Sequence, residues 1–304
     1  MQYFRALFLA VFFILFSGCS HPQATLQHTL PKPCGVYDMK QAACIGDAEL
    51  TARLSPYRVL FVGDHHASEA MHRRFAGVLS RLGENGRRLL LANEWFTPED
   101  DDLLSRYARG TYDGNFTAEI GWKTKAGYPF SLYEPIYKSI VEAGGTLYGI
   151  NMDKPFQKAV SDGNLSAMSE DEQAFFKHLD LNLSAHKAML APFFAHCHAK
   201  QEGEDAQQCR ERMYRVQVAW DSYMGEQSAG LAATRLQAPE DLLVVFAGAF
   251  HIAYGLGISA RFARRSAEPY ATILPVPAGS TEADVGEADY LLFYTPDAPP
   301  KETE

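Results

Sequence analysis

Two short stretches carry residue types that can do chemistry. Gly63-Asp64-His65-His66 and Gly248-Ala249-Phe250-His251 both read G-x-x-H, and each follows a continuous apolar run, Val59–Val62 and Leu242–Ala247. The glycine lets the backbone turn where a side chain would clash, and the histidine is presented just past the strand. Glu94 closes a third apolar run, "RLLLANE". Two neutral imidazoles (His66, His251) with a carboxylate from Glu94 or Asp64 make a ligand set suited to a divalent metal. The same groups suit hydrolysis, one His acting as general base and a carboxylate orienting it. A structural role is the third reading, with the carboxylates accepting bonds from strand-end amides and histidines.

These residues need elements to position them. "RVLFVGD" (58–64), "RRLLLANEWF" (87–96), "TLYGINMD" (146–153) and "DLLVVFAGAFH" (241–251) read as buried parallel strands. Helical segments separate them: "EAMHRRFAGVLSRLGENG" has apolar residues at helical spacing, and "YEPIYKSIVEAGG" stops at a glycine pair. The alternation predicts an α/β fold with a mostly parallel sheet flanked by helices. Residues 155–235 contain no strand candidate, so an all-helical insertion is expected between the third and fourth of these strands. In open α/β sheets ligands bind at the carboxyl ends of the strands, where Asp64, His66, Glu94 and His251 would converge.

Other candidates are scattered. Asp221 on the long helix lies beside the stripe Met213, Val216, Trp220 and Met224, so it is either a partnered buried carboxylate or a surface one. "HCHA" offers His196 and His198. The segment 121–139 is dense in aromatics and lysines, including Lys125, Tyr128 and Tyr133. A tyrosine phenolate can hold ferric haem, and Lys or His can pair with propionates.

The chain has 304 residues, 47% hydrophobic and 21% charged, with a formal net charge of −9. That is globular composition, and the acidic balance argues against a nucleic-acid partner. Residues 1–19 read as a lipoprotein signal peptide: Arg5, an apolar run too short to span a bilayer, then "FSGC" with Cys19 as the lipidation site. Ser20, where Asp would favour inner-membrane retention, leans toward the outer membrane. Residues 20–33 carry three prolines and read as a tether, with the domain proper over 34–296 and a frayed end from about Pro296. The remaining cysteines form two local pairs, Cys34/Cys44 and Cys197/Cys209, expected as disulfides in an oxidising compartment.

Five blocks together resemble the ChaN-like haem-binding lipoproteins, relatives of the Tiki proteases, TraB-type proteins and erythromycin esterases. They are "VGDHHASEAMHRRF", "LLLANEWFTPEDDDLLSRY", "GWKTKAGYPFSLYEPIYKSIVEAGGTLYGINMDKPF", "RMYRVQVAWDSYMGE" and "VVFAGAFHIAYGLGISARF". The family's G-E-x-H with a further His six residues on falls on Gly63, Asp64, His66 and His72, with Asp replacing Glu. Its strand-two glutamate falls on Glu94, its second G-x-x-H on Gly248 and His251, and its Q-x-x-x-D on Gln217 and Asp221. At these positions the hydrolytic relatives carry metal binding or catalysis. For the ChaN-like proteins the resemblance implies haem, with iron held by a Tyr of one subunit and propionates met by His and Lys of the other in a homodimer. Tyr254 and Tyr128 are the tyrosine candidates, with His72 and Lys125 as further cofactor contacts.

The expected protein is therefore a haem-binding lipoprotein of a Gram-negative envelope, held on the membrane by its anchor and serving iron acquisition beside an outer-membrane haem receptor. A metal-dependent hydrolase using Asp64, His66, Glu94 and His251 is the rival. Thiol titration of the denatured, unreduced chain should find none of Cys34, Cys44, Cys197 or Cys209 free.

Overall fold

A computed structural model describes residues 26–195, 197 and 203–297. The apolar leader, Cys19, His196 and His198 lie outside the described residues. Ten strands occur in chain order: β1 (Gln27–Thr29), β2 (Val36–Asp38), β3 (Ala43–Ile45), β4 (Val59–Asp64), β5 (Arg88–Asn93), β6 (Thr146–Gly149), β7 (Asp241–Gly248), β8 (Tyr270–Pro277), β9 (Glu282–Asp284) and β10 (Tyr290–Tyr294).

β4 and β7 are apolar on both faces because both faces are covered. Leu60, Val62, Leu242, Val244 and Phe246 join one core, packed by the helices Glu69–Glu84 and Phe130–Glu142. Val59, Phe61, Leu243, Val245 and Ala247 join the other, packed by the helices Ala206–Arg235 and Ile258–Ala263. The strand period of two splits each run between the two cores.

The main sheet has eight strands in the order β3-β2-β10-β8-β4-β7-β5-β6. The run from β10 to β6 is parallel, and β2 and β3 add an antiparallel edge. The α/β class and the mostly parallel sheet are thus as expected, and among the described residues the segment between β6 and β7 contains helices and no strand. β4 and β7 are neighbours although their paired ends, Asp64 and Gly248, lie 184 residues apart in the chain. The carboxyl ends of β4, β7 and β5 therefore form one edge.

Three sequence expectations change. Residues 27–29 of the stretch read as a tether form β1, which pairs antiparallel with β9. β8 and β10 extend the parallel sheet beyond the strands expected. The run "YATILPVP" hides its strand character behind Pro275 and Pro277; both lie past Ile273, the last residue of β8 that pairs with β4 (with Val62), so no ladder bond to β4 is lost. The chain end is also tied down, since Ala70 N–H and Ser68 Oγ donate to the Asp297 carboxylate at 2.9 and 3.1 Å. Ser68 is the N-cap of the helix Glu69–Glu84, its Oγ accepting from Met71 N–H.

Both expected disulfides are present. Cys34–Cys44 joins the loop before β2 to β3, with Cα atoms 5.6 Å apart, and Cys197–Cys209 ties the segment after the helix Ser184–Phe194 to the helix Ala206–Arg235, with Cα atoms 6.0 Å apart. No helix among the described residues is long and apolar enough to cross a membrane. Replacing Asp297 by Ala should lower the stability of the domain by about 1 kcal/mol through loss of this capping contact, read as a shift in urea midpoint with unchanged slope.

Candidate functional site

Gly63 and Gly248 are both required by close approach. A Cβ on Gly63 would stand 2.6 Å from Leu274 Cδ2 and 3.1 Å from the Ala249 backbone; one on Gly248 would meet the His66 ring at 3.2 Å and His251 Cδ2 at 3.5 Å. Gly248 thus forms the floor beneath both histidines. Its N–H donates to Glu94 Oε1 at 2.9 Å. Glu94 itself is held by its backbone: its N–H donates to Phe246 O at 3.2 Å, and its carbonyl accepts from Asn151 Nδ2 at 2.8 Å.

Around Glu94 the side chains form a chain of alternating imidazoles and carboxylates. On one side His66 Nε2 lies 3.8 Å from Glu94 Oε1, and its Nδ1 lies 2.8 Å from Asp64 Oδ2. Asp64 Oδ1 is 2.7 Å from Nε2 of the fully buried His72, and Tyr133 OH donates to Asp64 Oδ2 at 3.3 Å. On the other side His251 Nε2 lies 3.7 Å from Glu94 Oε2, and its Nδ1 lies 2.6 Å from Asp221 Oδ1. The far oxygen of Asp221 stands 3.1 Å from Nε2 of the fully buried His186. The Gln217 carboxamide approaches His251 Nδ1 at 2.8 Å, and the Arg261 guanidinium approaches His186 Nδ1 at 3.4 Å. Each aspartate therefore sits between one buried histidine and one that faces Glu94.

The charge environment follows from this order. Burial alone would raise the Asp64 carboxyl, but hydrogen bonds from His66 and His72 hold it below the usual range. Burial would likewise raise Asp221, but the His251 charge, the close approach of His186 and the hydrogen bond from His251 lower it. Burial would lower His66 and His251, yet their partners Asp64 and Asp221, with Glu94, raise both. Glu94 is raised, burial outweighing the two imidazoles.

With Nδ1 of His66 and His251 committed to carboxylates, both rings turn Nε2 toward Glu94. A carboxylate behind each imidazole is the arrangement that orients and strengthens metal-ligating histidines. Two donors at about 2.1 Å from a tetrahedral zinc stand about 3.4 Å apart, close to the 3.7 and 3.8 Å found here. The donor atoms of Asp64, His66 and Glu94 lie within 4.8 Å of one another, and His251 approaches the other Glu94 oxygen. Asp64 has both oxygens engaged by His66 and His72, so it acts behind His66 and not as a free donor.

Two clefts meet at this cluster, and His66 lines both. One, of about 850 Å³, is walled by apolar groups including Met189, Phe193, Phe250, Leu256 and Leu274, with Tyr254 among them. The other, of about 660 Å³, is more polar and is lined by Glu94, Trp95, Asp100, Lys125, Trp220 and His251. Trp95 packs on His66 with ring centres 4.8 Å apart, and Trp220 lies 6.1 Å from the His251 ring.

The family described as haem-binding uptake, Tiki superfamily, ChaN, matches residues 50–262. The chain belongs to this ChaN family. All of the strand-end cluster, with His186, Gln217, Asp221 and Arg261, lies inside the matched span. Among solved structures, ChaN of Campylobacter jejuni, studied for cofacial haem binding, superposes with a TM-score of 0.61 at 15% identity, covering 86% of this chain and 96% of that one. The type III effector HopBA1 covers 83% of this chain and 94% of its own at 15% identity and a TM-score of 0.43. A Bacillus cereus protein covers 89% and 95% at 12% identity and a TM-score of 0.43. No curated protein matches the sequence. The ChaN similarity supports the fold, and the residue placement stands on the geometry.

Against the sequence expectations, Asp64, His66, Glu94 and His251 are brought together, and Gln217 and Asp221 join them. His72 is corrected: it has no exposed surface, and its ring nitrogens face Asp64 and the Leu132 carbonyl at 3.0 Å, so it positions Asp64 and cannot touch a cofactor. Tyr254, Tyr128 and Lys125 do not share one place. Tyr254 lines the apolar cleft and donates to Asp284 at 2.7 Å. Tyr128 stands 5.9 Å from the His66 ring, and Lys125 lies in the polar cleft paired with Asp100. His65 Nδ1 meets Tyr294 OH at 2.9 Å. The functional-site residues missed by sequence reasoning are His186, Arg261 and the bond from Tyr133; His186 in "SAHKAML" follows no strand and no motif.

Stability should depend on pH through this cluster. His66 and His251 are raised in the folded state, so their contribution is complete below about pH 6.5 and is lost as pH rises through the folded values. Ionisation of the raised Glu94 acts in the same direction. In chelator-treated protein, Tm should fall as pH rises above neutrality, and the double variant His66→Gln/His251→Gln should flatten that slope.

Proposed function

We propose that this chain is an envelope lipoprotein that binds haem in its apolar cleft and serves haem and iron acquisition. The observation that carries the reading is the cleft itself, found in a member of a haem-binding-uptake family: about 850 Å³ of largely apolar wall with a tyrosine inside it. That volume falls within the range of small-molecule sites. Tyr254 is the residue of choice for the iron, because it alone of the two tyrosine candidates lines this cleft. Burial and the hydrogen-bonded Asp284 raise its phenol, so iron binding has to displace a proton held by that contact.

The cleft wall contains no lysine or arginine among its described residues, while Asp284 and Glu287 lie on its rim. Propionates therefore need cations from elsewhere, which supports a homodimer in which a second copy supplies them. The Campylobacter jejuni ChaN binds haem cofacially, and two copies of this chain meeting at their clefts would bring two haems face to face. Lipidation of Cys19 and an outer-membrane location complete the reading, with a haem receptor as the supplying or receiving partner.

A second occupant is favoured by a separate observation. The Nε2 atoms of His66 and His251 converge on Glu94 with spacing suited to a divalent ion, each imidazole backed by its own aspartate. We propose that a divalent metal binds there, independently of haem.

Titration of the apo-protein with haemin should give a saturable Soret shift, and Tyr254→Phe should abolish its tyrosinate character. Absorbance that rises linearly without saturation defeats the haem reading. Elemental analysis should find a stoichiometric divalent metal in the wild type and little in His66→Ala or His251→Ala; equal content in all three sinks the metal reading.

A further inference from the structure

Seven large apolar side chains are exposed among the described residues, and four of them line the apolar cleft or adjoin its lining residue Asp284. Phe193 and Phe250 are 50% and 46% exposed, with ring centres 3.8 Å apart, and both line the apolar cleft. Leu26 and Val285, 77% and 46% exposed, belong to the β1–β9 ribbon, where Val285 N–H donates to Leu26 O at 2.7 Å. That ribbon is also the cleft wall, because Asp284 lines the cleft and takes the Tyr254 hydroxyl. Single exposed apolar residues need no explanation, but a cluster around a cleft mouth marks a contact surface.

The covalent chain indicates what covers it. Leu26 lies seven residues after Cys19, a span of at most about 25 Å even when fully extended. A domain of this length is on the order of 50 Å across. An anchor at Cys19 therefore keeps the β1–β9 side of the domain near the bilayer and leaves the opposite side unable to reach it. The rim charges are the acidic Asp284 and Glu287, so attraction to anionic headgroups cannot be the basis of the contact.

We propose that, before a second copy closes over the cleft, the apolar mouth formed by Phe193, Phe250, Leu26 and Val285 docks on the lipid bilayer that holds the anchor, so that haem enters the cleft of the single chain from the lipid phase. The inference rests on the anchored, haem-binding reading above. Docking here is apolar: it inserts side chains at the acyl boundary and is insensitive to salt.

The test uses the full lipidated chain in phosphatidylethanolamine–phosphatidylglycerol vesicles preloaded with haemin, following the Soret change as haem reaches the protein. The double variant Leu26→Glu/Val285→Glu changes the ribbon without touching the cleft lining. It should bind aqueous haemin as tightly as the parent, yet take haem from vesicles about tenfold more slowly, as expected when two aliphatic contacts with lipid are lost. Leu165→Glu/Leu181→Glu, at exposed apolar positions outside the cleft lining, should leave both measurements unchanged. Equal vesicle transfer by the parent and the ribbon variant would overturn the docking proposal while leaving haem binding intact. So would slowed transfer that merely tracks loss of a dimer in sedimentation, which would assign the surface to a second copy. Failure of the parent to bind aqueous haemin would overturn both readings.

Discussion

The carboxylate of Glu94 is the pivot of the molecule. It is buried, and its charge is tolerable only because two imidazoles face it and the Gly248 amide donates to it. Those imidazoles in turn need Asp64 and Asp221, and the aspartates need His72 and His186 behind them. Removing any member strips a buried neighbour of one of its partners, which is costly for a charge in a low-dielectric interior. The row crosses the sheet edge from the helix Glu69–Glu84 to the helix Ser184–Phe194, so the packing of both helical layers is coupled to one polar line.

That coupling explains the glycines. A side chain at Gly248 would press on both histidines at once, and one at Gly63 would push β4 away from β8 and from the start of the turn after β7. The space left by the missing side chain at Gly248 is taken by the His66 ring of the neighbouring strand end, and that at Gly63 by Leu274, Ala249 and Pro275. The repeated G-x-x-H is thus the local condition for bringing two strand ends close enough to share Glu94, whatever ion or ligand the cluster holds.

The strand-end members were legible because apolar runs announce buried strands and parallel sheets gather their carboxyl ends. Asp221 was legible from the helix period only as one of two readings, and Gln217 only through family resemblance, since a helix period says which face is buried and not which polar residue meets a distant histidine. His186 and Arg261 reach the cluster by packing of the insertion against the sheet, a long-range outcome with no local signature. His72 was placed among cofactor contacts through its match to the second histidine of the family pattern; its position between Met71 and Phe75 on the inward face of a helix turns it into the core. The prolines of β8 obscured a strand because local propensity does not reveal which of its two edges bears them.

The order of strands has a consequence for biosynthesis. β4 is flanked by β7 and β8, so the apolar segment Val59–Val62 has no permanent neighbour on either edge until β7 (Asp241–Gly248) exists, and none on its second edge until β8 follows from Tyr270. Through most of synthesis it is an unpaired, sticky strand of the kind that invites aggregation. A chain with this topology gains from being kept extended until its last hundred residues are available. The polar row around Glu94 then assembles late, as the closing event of folding and not as its nucleus.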